Sequence, residues 1–269
     1  MRNFYAQKLI VSGNNVELYE YENPVVPLRC NRIGRAGQAT TTDEQKRQNR
    51  AKTASRARQK VRRFANANFS NRSKFITLTF ADNETDLKRA NKFFTDFIRR
   101  LSYFVGNPLQ YIAVPEFQKR GAVHYHLLMN CPYISKGKLT EIWGHGFVKI
   151  NRIDNVDNIG AYITKYMTKD SLDERLAGVK CYFMSRNLTA PQSTTDPDTI
   201  EKVLAEMSVK RVACSSSFDS EYYGTVHYMQ FVLDAPLSLS DFRKPLESKC
   251  FPPLWCDRFA PLPALLSKA

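Results

Sequence analysis

At 269 residues with 43% hydrophobic content, the chain has enough apolar material for a packed core, either one domain with extensions or two small ones, which excludes disorder along its whole length. Forty Lys+Arg against 26 Asp+Glu leave a net charge of +14 and a pI near 9.5, the balance of a nucleic-acid binder, since each basic side chain that neutralises a phosphate releases condensed counterions. No run reaches transmembrane length and the start, Met1 to Lys8, has no apolar signal stretch, so the expected compartment is the cytoplasm with no membrane partner.

Residues 7–11 and 16–21 flank Ser12-Gly-Asn-Asn15 and predict a β-hairpin. From residue 42 to 69 there is neither Gly nor Pro, and Thr42-Asp-Glu-Gln45 is a helix-start signal, so a long helix is expected. It carries Lys46, Arg47, Arg50, Lys52, Arg56, Arg58, Lys60, Arg62 and Arg63 with few compensating acids. A solvated face is the ordinary reading. The favoured one is a phosphate-contacting helix using Arg47, Arg50, Arg56, Arg58, Arg62 and Arg63.

Residues 75–80 (Phe-Ile-Thr-Leu-Thr-Phe) read as a strand, and residues 86–104 as a helix with Leu87, Ala90, Phe93, Phe94, Phe97, Ile98 and Leu101 on one face, stopped by Gly106-Asn-Pro108. Strands at 111–117 and 122–129 are joined by Gln118-Lys-Arg-Gly121 in a hairpin. A short helix around 136–143, a strand at 147–153 and a helix over 157–170 complete the run. The order β-α-β-β-α-β predicts an α+β fold of ferredoxin-like, split βαβ plan: an antiparallel sheet with helices on one face and the active site on the other, plus N- and C-terminal extensions. Its first and third strands should be central neighbours. Further on, residues 180–183 and 227–233 are strand candidates and 198–207 a helix, while Pro236, Pro245, Pro252, Pro253, Pro261 and Pro263 predict an irregular tail. The expected division is a hairpin and basic helix over 1–70 that binds DNA, a core over 71–190 and a C-terminal extension over 191–269.

Within the strand Val123-His-Tyr-His-Leu127, a period of two sends His124 and His126 to one face and Val123, Tyr125 and Leu127 into a core. Folding the hairpin about Arg120 sets Glu116 opposite His124, although a one-residue slip would turn it away. Two imidazoles and a carboxylate suit a divalent Mg²⁺ or Mn²⁺ rather than a closed zinc site; ordinary hydrogen-bonding residues are the bland alternative. In the helix Tyr162-Ile-Thr-Lys-Tyr-Met-Thr-Lys169, Tyr162 and Tyr166 lie one turn apart with Lys165 and Lys169 beside them. Either this is a core stripe of Ile159, Ile163 and Met167 that recruits tyrosines, or it presents a nucleophile to a phosphodiester. Lysine stabilises phosphate charge and favours the tyrosinate, whose ordinary pKa of about 10 is otherwise too high.

Taken together, the 75–80 strand, Glu116 to His126 and Tyr162-x-x-Lys165-Tyr166 resemble the three ordered motifs of the HUH endonuclease superfamily, closest to rolling-circle replication initiators of plasmids and small single-stranded DNA phages. The resemblance runs from residue 75 to about 170. It implies that His124, His126 and Glu116 hold the metal, that Tyr162 forms a 5′-phosphotyrosine and frees a 3′-hydroxyl, that Tyr166 attacks in the closing round, and that Lys165 neutralises phosphate charge. Lys119, Arg120 and Lys169 join the arginines of the basic helix as expected DNA contacts. Expected partners are single-stranded origin DNA and the host helicase and DNA polymerase. No Gly-rich phosphate loop occurs and no nucleotide cofactor is expected, because a phosphotyrosine conserves the phosphodiester energy. Alternatives are a conjugative relaxase or transposase with the same site, a water-using metal phosphodiesterase, or a non-catalytic nucleic-acid-binding module or repressor. The six cysteines lack any CxxC pair and read as free, mostly buried thiols; His145 and His227 read as structural and Trp255 as an anchor.

Overall fold

The computed structural model describes residues 4–27, 42–118, 120–153, 158–167, 179 and 181–237. The chain divides into two compact units, Ala39–Ala190 and a second built from Met1–Gln38 with Pro191–Ala269. The expected boundary at residue 70 therefore moves: the hairpin and the basic helix fall in different units.

The discontinuous unit begins with β1 (Tyr5–Ser12) and β2 (Asn15–Val25), an antiparallel hairpin in which Ser12 pairs with Asn15. Gly13 in the turn takes φ 62°, a left-handed conformation that costs glycine nothing.

The Ala39–Ala190 unit opens with α1 (Asp43–Asn68). Its start is the predicted capping box: Gln45 N donates to Thr42 Oγ1 at 3.2 Å and Thr42 N to Gln45 Oε1 at 3.0 Å. There follow β3 (Lys74–Phe80), α2 (Leu87–Val105), β4 (Gln110–Phe117), β5 (Val123–Asn130), α3 (Lys136–Trp143), β6 (Gly146–Arg152), α4 (Ile159–Thr164), a 3₁₀ turn over Lys165–Met167, and β7 (Phe183–Met184). All pairings are antiparallel and the strand order is β6-β3-β5-β4-β7. This is the split βαβ arrangement, with β3 and β5 central and β7 added at the β4 edge.

Strand alternation divides the core. One face (Ile76, Leu78, Tyr125, Leu127, Val148) packs under Phe94, Phe97 and Leu101 of α2 and Leu139, Ile142 and Trp143 of α3. Each such side chain, fully buried, contributes about 1.5–3 kcal/mol. The other face is not bare. Val61 and Ala65 of α1 and Ile159 and Ile163 of α4 pack with Met167 over Phe75, Ile112, Val114 and Leu128. The basic helix is thus an integral layer of the sheet domain, seated by a short apolar stripe that its charged residues obscure in the sequence.

The α1–α4 junction is specific. Asn66 Oδ1 accepts from Gly160 N at 2.7 Å, and Asn66 Nδ2 donates to Asn158 Oδ1 at 3.0 Å. That same Asn158 oxygen caps α4 through Ala161 N at 2.9 Å. At Gly160 the Arg62 backbone sits where a Cβ would go. Gly160→Ala is therefore expected to lower stability by about 1–3 kcal/mol, as overpacking does. Gly137→Ala, in a helical position with open space around it, should instead be neutral or add about 0.5–1 kcal/mol. Urea titrations of the two variants check both signs.

In the discontinuous unit, β8 (Gln192–Thr194), α5 (Pro197–Glu206), β9 (Val209–Ser220) and β10 (Gly224–Leu233) complete a second antiparallel sheet of order β8-β1-β2-β10-β9. Asp196 caps α5 through Thr199 N at 3.1 Å, and Ile200 and Val203 pack on Leu9, Val11, Val16, Leu18 and Leu233. The expectation of an irregular extension from 191 is thereby corrected for residues 192–233. Pro245, Pro252, Pro253, Pro261, Pro263 and Trp255 lie outside the described residues. No described helix is long and apolar enough to cross a membrane.

Candidate active site

On the α1/α4 face of the sheet, β5 sets the register. His124 stands between Thr79 of β3 and Glu116 of β4, and His126 between Thr77 and Val114. Glu116 is therefore directly opposite His124, with no slip. Tyr125, between them, points the other way, donates its hydroxyl to Asn91 Oδ1 at 2.8 Å, and has its ionisation pushed far upward by burial. The alternation that makes Tyr125 core is what brings the two imidazoles together.

The two histidines differ in their bonding. His126 is clamped at both nitrogens: Nε2 lies 2.6 Å from Glu116 Oε2 and Nδ1 lies 3.2 Å from Thr77 Oγ1. His124 is buried, and its Nε2 has no hydrogen-bond partner. Burial, and then the neighbouring His126, hold its pKa down to about 4 against the opposing pull of Glu116, so at neutral pH it is an uncharged imidazole, the form that ligates metals. Among the described residues no three His, Cys, Asp or Glu side chains stand in a metal-ligating arrangement, because Glu116 and His126 satisfy each other. The donor set fits a divalent cation by its chemistry: a neutral buried nitrogen without a partner, a second imidazole and a carboxylate in the adjoining row.

The tyrosine helix sits against this row. The expected helix over 157–170 is shorter: α4 ends at Thr164 and the chain tightens into 3₁₀ geometry over Lys165–Met167, while Lys169 lies outside the described residues. A 3₁₀ turn advances about 120° per residue against about 100° in an α-helix, so Tyr166 is rotated relative to Tyr162. Their rings meet edge to face at 6.4 Å. Tyr166 stacks on His126 with centroids 3.7 Å apart, and Tyr162 meets Phe75 edge-on at 4.9 Å. Lys165 Nζ stands 3.8 Å from the Tyr162 ring centroid and 5.0 Å from that of Tyr166. Burial and a hydrogen bond with Tyr162 push the Tyr166 hydroxyl upward. Ile159, Ile163 and Met167 are buried in the same helix, so the core stripe and the site are two faces of one element.

Three residues of this arrangement go beyond the motifs. Thr77 fixes the His126 ring, Phe75 touches His126, Tyr162 and Tyr166, and Asn66 ties α1 to the start of α4. Phe75 and Thr77 were legible as the strand face opposite Ile76 and Leu78. Asn66 had no signal in a helix dominated by charge.

Of the basic residues, Arg47, Arg50 and Arg56 are exposed and Arg58 and Arg62 half-buried, but Arg63 is 4% exposed and is withdrawn from the surface set. Arg120 is exposed at the hairpin turn, with Nε donating to Gln118 Oε1 at 2.9 Å. Lys119 lies outside the described residues, as do Cys30, Cys250 and Cys256. Cys131, Cys181 and Cys214 are free thiols but only half-buried. His145 stacks on Phe93 at 4.1 Å, and His227 pairs with Ser217 Oγ at 2.7 Å; both have structural partners.

Fold and site together define an α+β protein of split βαβ plan with a histidine–carboxylate row beneath a pair of tyrosines. Residues 73–171 match the family model of the replication-associated protein ORF2/gene-2 protein, a segment running from β3 past the tyrosine turn and covering less than half of the chain. The match is consistent with a rolling-circle replication initiator. No curated protein and no solved structure matches the chain.

Proposed function

We propose that this chain nicks and rejoins single-stranded DNA at a replication origin through a 5′-phosphotyrosine, starting and ending rolling-circle replication. The observation that carries the reading is the seating of the tyrosine turn on the histidine row, with Tyr166 stacked at 3.7 Å on the imidazole that Glu116 holds. A packing stripe alone does not call for polar rings above a buried histidine pair.

In this reading the Tyr162 oxygen attacks the scissile phosphorus as its proton leaves. The P–O3′ bond breaks, and the departing 3′ oxygen takes up a proton to become the primer end for a polymerase. The Lys165 ammonium, set over the Tyr162 ring, favours the tyrosinate and offsets charge on the phosphate. Rejoining reverses the step: a 3′-hydroxyl attacks the phosphotyrosine and tyrosine leaves, so no nucleotide is consumed. Tyr166 is the second acceptor. A divalent cation, Mg²⁺ or Mn²⁺, held by His124, His126 and Glu116 would polarise the scissile phosphate. Exposed Arg47, Arg50, Arg56 and Arg120 contact the DNA backbone, and host helicase and polymerase act on the opened strand.

The test is incubation with Mn²⁺ and a randomised pool of labelled single-stranded oligonucleotides, followed by denaturation and peptide mapping. A DNA-linked peptide containing Tyr162 is expected. Cleavage without any linked peptide would instead mean a water-using phosphodiesterase. Binding without cleavage would mean a non-catalytic module.

A further inference from the structure

The histidine row continues across the sheet to a strand that none of the motifs includes. Thr79, which pairs with His124 on one side, pairs with Phe147 of β6 on the other; Thr77, which pairs with His126, likewise pairs with Lys149. Residues directly opposite in antiparallel pairs share a face. Phe147 and Lys149 therefore stand on the same face as the histidines, two strands away, or about 10 Å. Val148 and Ile150 between and beyond them point into the opposite core with α2 and α3.

Phe147 is 67% exposed and Lys149 is exposed too. A phenylalanine on the outer strand of a sheet gains nothing for folding by facing solvent. Neighbouring partly buried aromatics have ring partners: Phe93 has His145, and Tyr162 and Tyr166 have Phe75. We infer that Phe147 and Lys149 form a platform for single-stranded DNA, Phe147 stacking on a base within about two nucleotides of the scissile phosphate and Lys149 contacting the adjoining backbone phosphate. The occupant follows from the pairing of an exposed π-face with a cation in a row that ends at the nicking residues. A duplex keeps its base faces covered, whereas a single strand offers them. The inference rests on the nicking reading for the position of the scissile phosphate, but the stacking contact can be measured without any cleavage.

The experiment uses the full chain, a fluorescein-labelled oligothymidylate for anisotropy, and an oligonucleotide carrying 2-aminopurine. Phe147→Ala should weaken single-strand affinity by about 5- to 100-fold and abolish the 2-aminopurine quenching seen with the native chain, with thermal stability unchanged. Phe147→Trp should restore both, while Phe147→Leu, apolar but without a π-face, should not. Lys149→Ala should reduce the slope of log affinity against log salt by about one. Unchanged affinity in Phe147→Ala, equal rescue by Leu and Trp, or an equal loss on duplex DNA overturns the platform. The two readings fail separately. A Tyr162 adduct formed normally by a Phe147→Ala chain of native affinity removes the platform and leaves the nuclease. A platform that quenches 2-aminopurine in a chain forming no adduct removes the nuclease and leaves the platform.

Discussion

Replacing Tyr162 and Tyr166 together with phenylalanine is expected to lower covalent DNA capture and nicking by at least about 10³-fold, the scale on which loss of a covalent nucleophile is felt. Single-strand affinity should stay within about threefold, because the rings that pack on Phe75 and His126 remain. The single variants should be unequal. Tyr162 has the closer lysine, at 3.8 Å from its ring against 5.0 Å, and the Tyr166 hydroxyl is made a weaker acid by burial and by its bond with Tyr162. The first nick, followed in a single turnover with a 3′-labelled oligonucleotide, should therefore suffer far more in Tyr162→Phe than in Tyr166→Phe. Tyr166→Phe should instead show its defect when a second strand must be accepted. A double variant that still nicks would mean that water or another side chain is the nucleophile.

How much of this was legible in advance depended on whether side-chain pattern and burial agreed. In β3 to β6 they did. Phe75 to Phe80 alternates, α2 repeats its apolar face and stops at Gly106, and the Gly121 turn sets the register that faces Glu116 with His124. The helix α1 was legible as a helix from Thr42 and Gln45 but not as a layer, since Val61 and Ala65 are few among many charges and cannot disclose what they cover. The β9 strand escaped because it is an edge strand with a mostly exposed, serine-rich stretch (Cys-Ser-Ser-Ser), and neither of its faces needs an apolar side chain. The change from α to 3₁₀ at Lys165 was invisible for a different reason. Propensity separates the two helix types poorly, so the rotation that lays Tyr166 on His126 is set by tertiary packing.

His124→Leu is expected to leave stability unchanged or raise it while removing nicking. The Nε2 of His124 is buried with no partner, and an unsatisfied buried polar atom costs a fold about 1–3 kcal/mol that an apolar group of similar size does not incur. If the imidazole served only the architecture, nothing would be gained by keeping it. If it is there to ligate a cation, its loss should cut the rate by about 10³-fold, since metal polarisation of a phosphoryl oxygen supplies several kcal/mol at about 1.4 kcal/mol per tenfold. His126→Leu makes the contrast. That imidazole is bonded on both sides, so its removal strands the Glu116 carboxylate and the Thr77 hydroxyl and should lower stability as well as nicking. Melting temperatures measured without metal, beside nicking rates over a Mn²⁺ titration, separate the two. A His124→Leu chain that melts early, or one that nicks at the native rate, would return His124 to the role of an ordinary core residue.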